Sequence, residues 1–287
     1  LANLIGSTFY LLLPALLFPM YLKVLDAERF GLFTLYFVIL IYFKIIDLGA
    51  SATFNRYIAK SSDNNFIRHL LGNFEFFFIL ISVIILFITS VFYQIISNDW
   101  LIYSNLDQAS ISRSIFIIIL IVCVKFFISI YRAGLNGLEK QVWLNITRCS
   151  FEFISLFGGL NFIYIINSIN NFNYKFDISY LFLFFLFIGL IEMFVCRIKL
   201  INFISLEKSN LNFNFFDFTP FKEVSLFMLM SAVTISTWLL VNWFDRIIFS
   251  GFLNLKFYGF YVTITLLSSL TLMIIVSINT ALLPRIT

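Results

Sequence analysis

Lys44 and Asp47 stand three residues apart inside the apolar run ERFGLFTLYFVILIYFKIIDLGAS, Glu28 to Ser51. Lys125 interrupts IIILIVCVKFFISIYR, Arg148 and Glu152 share NITRCSFEFIS, and Asp245 closes TISTWLLVNWFD. An ion in the middle of a lipid-embedded helix costs roughly 3 kcal/mol on insertion scales. Residues that carry this cost usually pair with one another or line a water-filled path. Their chemistry is electrostatic: cations attract an anionic group, and carboxylates attract cations or protons.

Helical spacing sorts these residues onto faces, because positions i, i+3, i+4 and i+7 lie together. The second apolar run aligns Lys44, Asp47, Ser51 and Asn55. The fifth aligns Asn145, Arg148, Glu152, Ser155 and Gly159, and the fourth aligns Ser114, Lys125, Ser129 and Arg132. The first aligns Asn3, Ser7, Tyr10 and Pro14, and the seventh Ser231, Thr234, Trp238, Asn242 and Asp245. Two readings stand. In the structural one, Lys44 pairs with Asp47, Arg148 with Glu152 and Lys125 with Glu75, and the charges cancel. In the functional one, the stripes line a basic cavity for an anionic group, with Lys44, Asp47, Lys125, Arg148, Glu152 and Asp245 as its binding residues.

The elements that must position them are membrane helices. The chain is 61% hydrophobic, 20% aromatic and 12% charged, with mean hydropathy +0.99. A soluble domain is roughly half apolar and a quarter charged. An all-α, polytopic transmembrane bundle follows. A bilayer-spanning helix needs about 20 mostly apolar residues, and eight candidates lie at roughly 2–22, 31–57, 70–92, 112–132, 143–166, 178–200, 221–246 and 257–283. Barrel strands would be short and alternating, unlike these runs. The net charge of +4 implies no nucleic-acid partner, since Lys and Arg gather in cytoplasmic loops of membrane proteins. One set of alternating flanks carries Arg56, Lys60, Arg68, Arg132, Lys140, Arg197, Lys199, Lys208, Lys222 and Arg285, and the other set carries fewer. The richer set is assigned to the cytoplasm. The loop Tyr93–Ile111, with Asp99 and Asp107 and no Lys or Arg, falls outside. By the rise of a helix, Lys44 then lies about 20 Å from the outer face, and Lys125 and Arg148 also fall in the cytoplasmic half.

The chain divides by a repeat. VLDAERFGLF at Val24–Phe33 resembles FLNLKFYGFY at Phe252–Tyr261, with Gly31 matching Gly259. Two bundles related by an axis along the membrane normal are a known transporter plan. Residues 1–200 therefore read as a six-helix lobe. Residues 201–220 read as a cytoplasmic amphipathic linker, and 221–287 as the start of a second, truncated lobe. No signal peptide is expected at Leu1.

Other features carry less. Cys123, Cys149 and Cys196 fall inside apolar segments without metal or disulfide spacing. GLNGLEKQ at Gly134–Gln141 lacks the phosphate-loop ending in Gly-Lys-Ser/Thr, so no cofactor and no metal are expected. His69 reads as a loop residue, and Asn145-Ile-Thr147 as a helix start. Pro14, Pro19 and Pro284 can break helical hydrogen bonding.

Several motifs together resemble the O-antigen flippases of the Wzx type, the polysaccharide branch of a larger exporter superfamily. They are Glu28 with Phe30-Gly31, Asp47-Leu48-Gly49, Arg56-Tyr57, Asp245-Arg246, Tyr258-Gly259-Phe260 and Pro284, spread along the chain. The resemblance implies a two-lobed bundle of about twelve helices that opens alternately to either side. It implies transport of an oligosaccharide on polyprenyl pyrophosphate across the bacterial inner membrane, with no enzymatic step. Contacts with membrane lipid and with other polysaccharide-assembly membrane proteins are also implied. Asp47, Glu75 and Glu152 become candidates to carry a coupling proton. A drug or cation exporter of the same superfamily would favour acidic residues without matching cations. A polytopic O-antigen polymerase would need a large outer loop, and the longest here is the stretch Tyr93–Ile111.

Overall fold

In lipid the backbone has no water to bond, so each apolar run satisfies its polar groups by coiling into a helix. The computed structural model describes residues 2–61, 63–95, 100–169, 176–204 and 219–268. They form helices α1 (Ala2–Val24), α2 (Ala27–Ile46), α3 (Ala50–Lys60), α4 (Asn64–Ile95), α5 (Gln108–Gly137), α6 (Gln141–Ile169), α7 (Ser179–Ile204) and α8 (Thr219–Phe252), followed by α9 over 255–268. Six are long and apolar enough to cross a membrane: α2 and α4 to α8. The chain is an all-α, multi-pass membrane protein. The linker stretch 205–218, the helix beyond 268, Asp99 and Pro284 lie outside the described residues, as do the side chains of Asn3, Ser7 and Tyr10. Helix α1 runs through both Pro14 and Pro19.

One expectation is corrected. The second apolar run does not form one helix over 31–57. It breaks at Asp47-Leu48-Gly49, where Leu48 and Gly49 take φ of 49° and 74°. The left-handed region suits glycine, which has no Cβ to clash. Gly49 is needed there for a second reason. A Cβ on it would lie 2.6 Å from the Met228 carbonyl oxygen and 2.8 Å from the Ala232 nitrogen, so α8 presses directly on the break. The Thr53 hydroxyl donates to the Gly49 carbonyl at 2.8 Å and restarts the helix.

Helix α5 is the axis of the bundle. It packs along α7 and is also flanked by α3, α4 and α6, while α1 lies on α6 and α8 on α2, α3 and α4. Two apolar cores stack along this axis. One joins α1, α2, the first half of α5 and the starts of α7 and α9. Its centre is aromatic: Tyr21 stacks on Phe33 with centroids 4.2 Å apart, and the Tyr21 hydroxyl donates to the Leu156 carbonyl at 2.7 Å. The second core joins α3, the start of α4 and the later halves of α5 and α7. It lies at the end that the charge bias assigns to the cytoplasm.

At the opposite end, Asp177 ties α5 to α7. It accepts from the Ser110 hydroxyl at 2.6 Å, the Ser179 amide at 3.0 Å and Arg113 at 2.8 Å. Partial burial opposes ionisation of this carboxyl, but the bonds from Ser110 and Ser179 and the charge of Arg113 outweigh it. The group sits below the ordinary carboxylate range. A depressed folded pKa contributes stability that is complete above the unfolded value, about 3.9, and is lost as pH falls through the folded value. Asp177→Asn is expected to lower the thermal midpoint in detergent at pH 7 and to flatten its decline below about pH 4. Identical pH profiles for the two proteins would show that the tie contributes nothing.

Candidate functional site

The break in the second apolar run does not scatter its polar stripe. Asp47 ends α2, and its two carboxylate oxygens accept from the Ser51 hydroxyl at 2.9 Å and the Ser51 amide at 3.2 Å. The Ser51 and Ser129 hydroxyls are 2.7 Å apart, which links α3 to α5. One turn before the break, Lys44 is exposed and lines a cavity of about 440 Å³. Lys125, Arg132, Arg148, Glu152 and Ser155 share the same wall, together with apolar Tyr36, Phe37 and Leu40. A second space of about 400 Å³ shares Ser51, Ser129, Arg132 and Arg148 and continues past Asn55, Asn136, Gln141 and Asn145. These last residues mark the mouth, at the end assigned to the cytoplasm.

Behind the wall lies a residue that the stripes did not single out. Glu192 on α7 has a side chain only 3% exposed and binds two cations of α5: Lys125 at 3.1 Å and Arg132 through its other oxygen. Seven residues separate those cations, two turns of one face, and a single carboxylate spans them. The sequence signal was there, since Glu192 is the one carboxylate in the apolar run 179–204. Charged hydrogen bonds of this kind are the strong class. Glu152 is within electrostatic reach of Lys125 and Arg132 as well.

Of the pairs in the structural reading, Lys125 turns to Glu192 rather than Glu75, while Arg148 stays within electrostatic reach of Glu152 and Lys44 of Asp47. Asp47 bonds Ser51 rather than Lys44, and among the described residues Lys44 has no hydrogen bond or ion pair. Glu75 meets the Tyr131 hydroxyl at 2.6 Å and Arg197 at 3.0 Å, not Lys125. The lining counts four cations, Lys44, Lys125, Arg132 and Arg148, against Asp47 and Glu152, with Glu192 beneath. The wall is net positive.

Asp245 is placed elsewhere. It is absent from the cavity lining and accepts from the Tyr261 hydroxyl on α9. Beside it the buried Arg246 lies 3.9 Å from the Trp243 ring centroid and donates to Thr265 at 3.2 Å and to the Asn242 carbonyl at 2.8 Å. The Tyr42 hydroxyl donates to the Trp243 carbonyl. These groups join α2, α8 and α9 in the half away from the mouth. Of the rest of the stripe on α8, Thr234, Trp238 and Asn242 are exposed and Ser231 is half-buried.

Residues 1–287 match the family described as polysaccharide biosynthesis protein, and the chain belongs to that family. No curated protein and no solved structure gives a significant match.

Removing one partner of a buried ionic cluster leaves the others uncompensated, a cost of about 3 kcal/mol. Glu192→Ala is expected to cost about that much stability, read as a fall in the thermal midpoint in detergent. Glu192→Gln, which keeps an acceptor, is expected to fall between it and the wild type. A Glu192→Ala protein as stable as the wild type would refute the pairing.

Proposed function

We propose that this polysaccharide biosynthesis protein is a flippase. It moves an oligosaccharide carried on polyprenyl pyrophosphate across the bacterial inner membrane by alternating access. The observation that carries this reading is the net-positive cavity on an apolar bundle, open at the end with the cationic flanks. A pyrophosphate diester is a compact dianion that arrives from the cytoplasmic leaflet. Lys44, which makes no hydrogen bond among the described residues, is the cation offered to it in the deeper part of the cavity. Lys125 and Arg132 are pre-positioned by Glu192, so little side-chain ordering remains to be done on binding. Arg148 stands between the mouth and the deeper wall. The apolar face of Tyr36, Phe37 and Leu40 suits the start of the polyprenyl chain, whose remainder stays in the bilayer.

The division of the chain supports alternating access. On this reading residues 1–200 are one lobe, 221–287 begin a second and 201–220 are the linker, the division that the sequence repeat suggests. The repeat mates Gly31 and Gly259 face each other too closely for a side chain: a Cβ on Gly259 would lie 3.0 Å from the Gly31 Cα. Equivalent positions of two related lobes meet only on the axis that relates them. A drug or cation exporter is disfavoured by the same lining, because four cations repel the cargo it would need to admit.

The complete gene, introduced into a strain that lacks its O-antigen flippase but carries the matching sugar cluster, is expected to restore the lipopolysaccharide ladder. Lys44→Ala and Arg148→Ala proteins, still inserted in the membrane, are expected to lose it. A ladder retained by both variants would remove the pyrophosphate from this cavity. Failure of a well-expressed wild type to restore any ladder would move the protein to another branch of the exporters.

A further inference from the structure

At the end of the bundle away from the cavity mouth, the loop from Trp100 to Asp107 lies between two bodies. On one side is α2. Glu28, in its first turn, is only 6% exposed, and its two carboxylate oxygens accept the backbone N–H groups of Ser104 at 3.0 Å and Asn105 at 2.8 Å. A carboxylate at a helix start is favoured by the helix dipole, and its bonds to amides are of the charge-assisted class. The loop is thereby fixed to the first lobe.

On the other side is the α8–α9 turn. The Leu255 amide donates to the Ile102 carbonyl at 2.9 Å, and Ile102 and Asn254 pair as an isolated parallel bridge. The Trp100 indole donates to the Ser250 hydroxyl at 3.0 Å, and the Asn254 amide reaches the Ser104 hydroxyl at 3.4 Å. Beneath this seam α2 and α9 cross without side chains between them: a Cβ on Gly31 would lie 1.9 Å from the Leu255 carbonyl oxygen. All these contacts are neutral, short-ranged and few. The Glu28 contacts are two hydrogen bonds to one charged carboxylate, partly buried.

We propose that the 100–107 loop is a latch, anchored to α2 by Glu28, whose neutral seam with residues 250–255 closes this end of the bundle and parts when the end opens. The asymmetry of the two attachments sets where it parts. The seam to the α8–α9 turn gives way, and the loop travels with the first lobe. The proposal rests on the transporter reading for the need to open, and on the geometry alone for the seam.

Two experiments on the full-length protein test it. In a background with Cys123, Cys149 and Cys196 replaced by Ser, the pair Ile102→Cys and Asn254→Cys is oxidised across the seam. A crosslink is expected to form readily, to abolish display of the lipopolysaccharide ladder, and to release it on reduction. Failure to crosslink, or a crosslinked protein that still supports the ladder, would overturn the latch. The second experiment needs no transport, so it stands even where the flippase reading falls. Spin labels at Asn105→Cys and Lys256→Cys, both exposed positions, are expected to give one narrow distance distribution in wild-type background. Glu28→Gln turns one acceptor into a donor that faces an amide, and a longer, broader component is expected to appear. An unchanged distribution would show that the carboxylate does not anchor the loop.

Discussion

An ion inside an apolar bundle must be matched or wetted, and this constraint organises the protein. Nearly two thirds of the chain is hydrophobic, yet α5 carries Lys125 and Arg132 along one face. Glu192 makes that tolerable. Its buried carboxylate spans both cations and lets α5 and α7 pack along most of their length. With those two helices joined, α3 and α6 close around the same face, and the remaining cations open into a cavity rather than into lipid. A low dielectric strengthens satisfied contacts and penalises orphaned ones alike. The same medium that makes Glu192 structurally necessary makes the cavity beside it a strong attractor for an anion.

Close backbone approach does the complementary work where α8 and α9 meet α2 and α3. Gly31 lets α9 cross α2 at one end, and Gly49 lets α8 press on the break between α2 and α3 further in. Small residues at such crossings are how membrane helices gain packing without a hydrophobic driving force. Neither position tolerates a methyl group without movement of a neighbouring backbone. The two glycines therefore fix α9 against α2 and α8 against the break after it, at two heights.

Much of this was legible in the sequence. The long apolar runs gave the helices, and the charge of their flanks gave a consistent pair of ends. Lys44, Lys125, Arg148 and Glu152, each on a polar stripe of its own helix, do meet in one cavity lining. The break at Asp47-Leu48-Gly49 was less visible, because an apolar run with one glycine reads equally as a continuous helix. What decides it is the pressure of α8, a contact between residues far apart in sequence. Glu192 escaped the stripe argument for the opposite reason: it is the one carboxylate on its helix, and its partners are on another. Asp245 shared a helical face with polar neighbours, but a stripe does not state what it faces. Most of that stripe on α8 turns outward, and Asp245 is held by Tyr261.

The cavity and the seam are joined by one rigid body. Helix α2 spans twenty residues, about 30 Å at the rise of an α-helix. It carries Glu28 and Gly31 at the latch end and Lys44 at the cavity end, with Asp47 capping it. The left-handed turn at Leu48-Gly49 then frees α2 from α3, whose Ala50, Phe54 and Ile58 are locked into the second core. Lys44 and the latch therefore stand at the two ends of one helix. On the proposed reading, this is how an anionic head group at one face of the membrane is felt at the other. Coupling of this kind needs a two-state element that both sites bias, and α2 is the element that touches both.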